Sequence, residues 1–155
     1  MRTVLDTNIL IAALITKDTP PDILYQAWLH GKIEVVTSPA QMSEIAAVLS
    51  RPRLMKFIHS DEASILLENL DTRAIILNDP SPVNFSPDPA DNRILAVAIA
   101  AEADLIISGD KKHMLSLNNA AGIPIVSARE AVKRLDKGGM QATGDNRPLN
   151  TKRNR

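Results

Sequence analysis

Four acidic side chains stand where a carboxylate could do chemistry. Asp6 follows the apolar run Thr3-Val4-Leu5 and leads into the helix-like run Ile9-Leu10-Ile11-Ala12-Ala13-Leu14-Ile15. Asp110 closes a second such run, Leu105-Ile106-Ile107-Ser108-Gly109. An acid at a strand-to-helix junction lies at the carboxyl edge of a sheet, where open α/β folds place their ligands. Asp91 sits in Asp88-Pro89-Ala90-Asp91 at the start of a third apolar stretch, and Glu44 rides on a helix announced by Ser38-Pro39. Carboxylates gathered at one edge repel one another unless a cation lies among them. The chemistry such a cluster serves is the holding of a divalent metal for phosphodiester cleavage.

Each acid also has a structural reading. Asp6 could cap the helix it precedes, although Thr7 and Asn8 are cap formers as well. Gly109-Asp110 is common turn chemistry. In the third block Asp88 is a natural N-cap, Pro89 a first-turn proline and Asp91 a first-turn acid facing the helix dipole. The site reading keeps the cap for Asp88 and points Asp91, one turn further in, toward the other acids. Glutamate is a good helix former that usually belongs to a solvated face, so Glu44 is the weakest member on pattern alone. What separates the readings is convergence: acids from distant junctions meeting at one edge.

The elements that must position them follow from pattern. Thr19-Pro20-Pro21 breaks the first helix, and Asp22 is placed as the cap of a second, which runs through Ile23, Leu24, Ala27, Trp28 and Leu29 to Gly31. Ile33 to Thr37 reads as a buried strand. Met42, Ile45, Val48 and Leu49 recur at helical intervals behind Ser38-Pro39, and Arg51-Pro52-Arg53 ends that helix. A short element at Leu54 to Ile58 precedes a helix opened by Ser60-Asp61-Glu62. A strand at Ala74 to Leu77 and a proline-rich connection lead to a mostly buried, alanine-rich helix from Ala90 to Ala103. Asp104 to Ser108 is the next strand, followed by a helix containing Met114, Leu115 and Leu117. A last strand, Gly122 to Val126, precedes a helix capped by Ser127 that runs to about Lys137. Strands alternating with helices predict a three-layer α/β/α sandwich with a mainly parallel sheet over residues 1–137. The polar, basic stretch 138–155 is expected to be a disordered tail.

Composition narrows the chemistry. A chain of 155 residues, 45% of them apolar, can bury one ordinary core. No apolar run reaches the ~18 residues of a membrane span, and no signal-peptide pattern opens the chain, so a cytoplasmic protein without membrane contact is expected. The chain has no cysteine, which removes disulfides and thiolate sites together. His30, His59 and His113 show no paired spacing, so oxygen ligands are favoured for any metal. Eighteen basic residues balance eighteen acidic ones, leaving no strong overall field for nucleic acid. Glycine-rich phosphate loops and a nucleophile-elbow serine are both missing. Asn8 stands where an aspartate phosphotransferase needs a second aspartate, which disfavours a phosphoenzyme.

Taken in order, Val4-Leu5-Asp6-Thr7-Asn8-Ile9-Leu10, Ser38-Pro39 through Glu44-Ile45 to Arg51-Pro52, Asp88 to Asn92, and Ala103 to Asp110 resemble the PIN domain, the nuclease fold that includes VapC-like toxins of bacterial toxin–antitoxin pairs. The resemblance spans Val4 to about Leu135. It implies that Asp6, Glu44, Asp91 and Asp110 bind magnesium or manganese, with Asn8 and Ser108 as polar neighbours. It further implies a single-stranded RNA substrate, an antitoxin partner that occupies the acidic cleft, and a homodimer. Arg93 and Lys111 adjoin the acids in sequence, either to guide a phosphate backbone or as solvated surface charge. A non-catalytic binding module and a structure-specific DNA nuclease are the competing readings.

Overall fold

The computed structural model describes residues 1–138. Past Gly138, the tail expected from the sequence lies outside these residues. A central sheet is built from β1 (Arg2–Leu5), β2 (Glu34–Thr37), β3 (Ile75–Ile76), β4 (Leu105–Ile107), β5 (Asn119–Ala120) and β6 (Ile123–Val126). The helices are α1 (Thr7–Ile15), α2 (Pro20–Leu29), α3 (Pro39–Leu49), α4 (Ser60–Arg73), α5 (Pro89–Ala100), α6 (Met114–Leu117) and α7 (Ala128–Lys137), with a 3-10 turn at Leu54–Lys56. Strand order is β3-β2-β1-β4-β6-β5, and every pairing is parallel except β5 with β6.

Side chains alternate across each strand, and the alternation divides the core into two layers. Leu5, Val35, Leu105, Ile107 and Val126 face a cluster completed by Leu10, Leu24, Ile45, Leu66 and Ala131 of α1, α2, α3, α4 and α7. Val4, Val36, Ile106 and Ile125 face the opposite cluster, where Leu95 of α5 and Met114 of α6 cover them. Helices on both faces of a mainly parallel sheet make the expected three-layer α/β/α sandwich. No helix among the described residues is long and apolar enough to cross a membrane.

Topology fixes where a ligand belongs. From β1 the chain builds outward through β2 and β3 on one side, then returns to lay β4 against the other side of β1. The strand order therefore reverses between β1 and β4, and the crevice outside their carboxyl ends is where open sheets bind ligands. Leu5 pairs with Ile107, so Asp6 and Ser108 leave the sheet side by side.

The structure corrects some local expectations. Thr19, not Asp22, occupies the N-cap position of α2, because prolines at the first two helical positions need no donor and extend the helix upstream. Asp22 is buried inside the first turn, accepting from the Asp18 N–H at 2.8 Å. Helix α5 starts at Pro89 and stops at Ala100 rather than Ala103. Glu102 turns left-handed there (φ 52°), with Ala103 N–H bonding to Ala98 O at 2.9 Å and Glu102 N–H to Ile99 O at 3.1 Å, the paired closure of a helix C-terminus. No pattern in the sequence announces β5. It forms a two-residue hairpin with β6 through Ala121 and Gly122, both at positive φ as a tight hairpin turn demands.

Candidate active site

At the β1–β4 crevice a cavity of about 130 Å³ is walled by Asp6, Thr7, Asn8, Glu44, Asp88, Ala90, Asp91, Ile94 and Asp110. All four acids singled out from the sequence line it, and Asp88 joins them. They arrive from separate elements: Asp6 from the end of β1, Glu44 from α3, Asp91 from the first turn of α5, and Asp110 from the turn after β4.

Each carboxylate is held by a neighbour. Asp6 makes no capping bond to α1, and its Oδ2 accepts from the Ser108 hydroxyl at 2.7 Å. The same Ser108 oxygen accepts the Asp110 N–H at 3.1 Å, so one buried hydroxyl ties the two junctions together. Ser108 thus stands behind Asp6 rather than on the cavity wall. Asp110 Oδ1 also accepts from Lys112 N–H at 3.0 Å and His113 N–H at 3.2 Å, so turn chemistry and cavity lining coexist in one side chain. Asp91 is 8% exposed and takes the Ser86 hydroxyl at 2.9 Å. Asp88 caps α5 through Ala90 N–H at 2.9 Å. Glu44 accepts from the Thr7 hydroxyl at 2.8 Å.

The scaffold behind these acids is polar and buried. Gln41 donates to Leu5 O at 2.7 Å and accepts the Thr37 hydroxyl at 2.7 Å, fixing α3 to the ends of β1 and β2 and so placing Glu44. Asn92 accepts from the N–H groups of Phe85 and Ser86, each at 2.9 Å, and returns a bond to Ser86 O at 2.8 Å. That clamp sets the loop from which Ser86 reaches Asp91.

Burial raises the carboxyl pKa of Asp6, opposed by the Ser108 bond and reinforced by the negative charges of Asp91 and Glu44. Asp91 is raised likewise, first by burial, with Asp88 and Asp110 adding repulsion against the Ser86 bond. The acids thus act on one another, and among the described residues none of the five forms an ion pair with a lysine or arginine. Arg93 and Lys111 are exposed and lie off the wall of this cavity. Arg93 lines a neighbouring cleft of about 550 Å³ with Pro80, Pro82, Val83 and Pro87. Asn8 is exposed at the cavity itself.

Residues 2–112 match the family model described as the PIN domain. The chain belongs to the PIN domain family. An uncharacterised protein of Methanocaldococcus jannaschii is 26% identical to it over 145 residues, which cover 88% of this chain and 93% of that protein. The crystal structure of FitAcB from Neisseria gonorrhoeae shares the fold, with a TM-score of 0.50 at 12% identity over 82% of this chain and 98% of its own. PIN domains are in general nucleases and usually use divalent metal.

The residues of this PIN domain fit such an ion. Oxygens of Asp91 and Asp110 and a ring nitrogen of His113 lie within 4.8 Å of one another. Crowded, mutually repelling carboxylates that, among the described residues, form no ion pair with lysine or arginine are the environment a divalent cation relieves. Pattern reasoning did not find His113, Ser86 or Thr7 as parts of the site. Ser86 and Thr7 reach their acids only through the tertiary fold, whereas His113 stands three residues after Asp110, a spacing that sequence could have offered.

Proposed function

We propose that this PIN domain is a metal-dependent endoribonuclease that cuts single-stranded RNA, and that it is the toxin of a cytoplasmic toxin–antitoxin pair. The observation that carries the reading is the cavity wall, where acids from four separate elements meet with no lysine or arginine among them. A magnesium or manganese ion bound there would supply an acidified water and offset charge on the leaving oxygen. Asp6, Asp91 and Asp110 would hold the ion, with Glu44 completing the set from α3. Ser108 and Ser86 keep two of these carboxylates aimed, which raises their value as ligands. Asn8 is assigned to substrate contact at the cavity, with Arg93 and Lys111 drawing the phosphate backbone toward it. The products expected are a 3′-hydroxyl and a 5′-phosphate.

The same acidic cavity suits an antitoxin segment that inserts a basic side chain, and the resemblance to VapC-like toxins supports a homodimer. The catalytic unit proposed is residues 1–137. Single-stranded RNA and flapped DNA incubated with magnesium or manganese, with and without chelator, test the activity. RNA cleavage lost on chelation and in Asp91→Asn supports the proposal. Cleavage that survives both changes refutes the metal mechanism, and preference for flapped DNA refutes the substrate.

A further inference from the structure

Besides the acids on the cavity wall, a histidine reaches this cluster. His113 sits at the N-cap position of α6 but makes no side-chain capping bond. Its Nδ1 stands 3.6 Å from Asp110 Oδ2, longer than a well-formed hydrogen bond. Asp91, Asp110 and His113 each offer an atom within 4.8 Å of the other two. Ligands about 2.1 Å from an octahedral ion stand about 3 Å apart when adjacent and about 4 Å apart when opposite. The 3.6 Å between His113 and Asp110 falls in that range, and the three groups need only small turns to share an ion. Half-exposure of the ring leaves it free to turn by the small amount such a role needs.

We propose that His113 is a nitrogen ligand of the metal centre, and that it makes the centre select manganese or another first-row transition ion over magnesium. Magnesium favours oxygen ligands and keeps several waters, whereas imidazole suits the transition ions. The proposal rests on the metal-dependent reading above. A role confined to bracing Asp110 would weaken magnesium and manganese alike. Loss of a nitrogen ligand weakens manganese far more.

The experiment measures metal binding without RNA, by thermal shift or calorimetry with manganese alone and magnesium alone, on the full chain and on His113→Ala and His113→Gln. The expected result is a loss of manganese affinity of at least about tenfold in His113→Ala, with magnesium changed by less than about twofold. Pulsed electron paramagnetic resonance of the manganese-loaded wild-type chain should show coupling to one imidazole nitrogen, absent from both variants. Equal losses for the two ions, or no nitrogen coupling, overturns the assignment while leaving the nuclease reading intact. A wild-type chain that binds neither ion yet cleaves RNA overturns both.

Discussion

The central strand β1 carries charge at both of its ends, and the two ends are built on opposite terms. At the amino end Arg2 is 2% exposed, and its charge faces acceptors and acids. Its Nη1 donates to Ala101 O at 3.0 Å, at the carboxyl and therefore negative end of α5. Glu34 stands 3.5 Å from its Nε, and the Asp104 carboxylate accepts its backbone N–H at 2.8 Å. At the carboxyl end Asp6 faces Asp91 and Glu44, and burial and repulsion both work against its charge. The same helix α5 spans both ends: its C-terminus receives a cation, and its N-terminus presents Asp88 and Asp91 to other acids. A neutralised end does mechanical work, and an end left electrostatically strained is one that a ligand must complete.

Removing charge should therefore have opposite effects at the two ends. Arg2→Met leaves the half-buried Glu34 carboxylate without its cation and α5 without its terminal partner. The cost expected is about 3 kcal/mol, the scale of breaking a buried pair by deleting one member. For a chain of this size that lowers Tm by about 10 °C, read by thermal unfolding. A change of only a degree or two would show that the amino end is not the structural one. Metal affinity of the folded variant should be unchanged.

Ser108→Ala sharpens the contrast from the other side. It deletes the hydroxyl that holds Asp6 and receives the Asp110 N–H, but it removes no charge. Groups that orient metal ligands are worth ten- to a hundredfold in affinity, so a fall of about tenfold in manganese binding is expected by calorimetry. Unaltered affinity would mean that the acids hold their positions without it.

The layered fold and the acids were legible in the sequence because both rest on short-range signals. Apolar strands ending on Asp6 and on Ser108-Gly109-Asp110, and the Asp88-Pro89 opening of α5, announce their junctions within a few residues. What sets the acids in place was not legible. Gln41 works by reaching Leu5 O, and Thr7 by reaching Glu44, contacts that exist only once α3 lies across the end of β1. Asn92 reaches back to Phe85 and Ser86 from inside a helix, where asparagine carries no distinctive pattern. Strand β5 is two residues long, too short for alternation to register. His113 has no paired spacing to another histidine, and its place three residues after Asp110 carries meaning only once that acid is set at the site.

The smallest effects expected concern the strained end without metal. Asp6→Asn keeps an oxygen able to accept from Ser108 while removing a charge that burial and Asp91 oppose. The metal-free variant should unfold at a higher temperature than wild type at neutral pH, the reverse of Arg2→Met. The pH dependence follows from the sign of the shift. Asp6 and Asp91 both titrate above their ordinary value of 3.8 in the folded chain, so between that value and the raised one the folded state binds more protons than the unfolded state. Stability then falls as pH rises through this window. Their contribution is fully present below 3.8 and is lost once both are ionised. Relative to Asp6→Asn/Asp91→Asn, wild-type Tm should therefore decline on raising pH from about 4 toward neutrality, and saturating manganese should abolish the decline. A Tm difference between the two chains that does not change with pH would mean that the carboxyl end is as well compensated as the amino end, and the contrast between them would collapse.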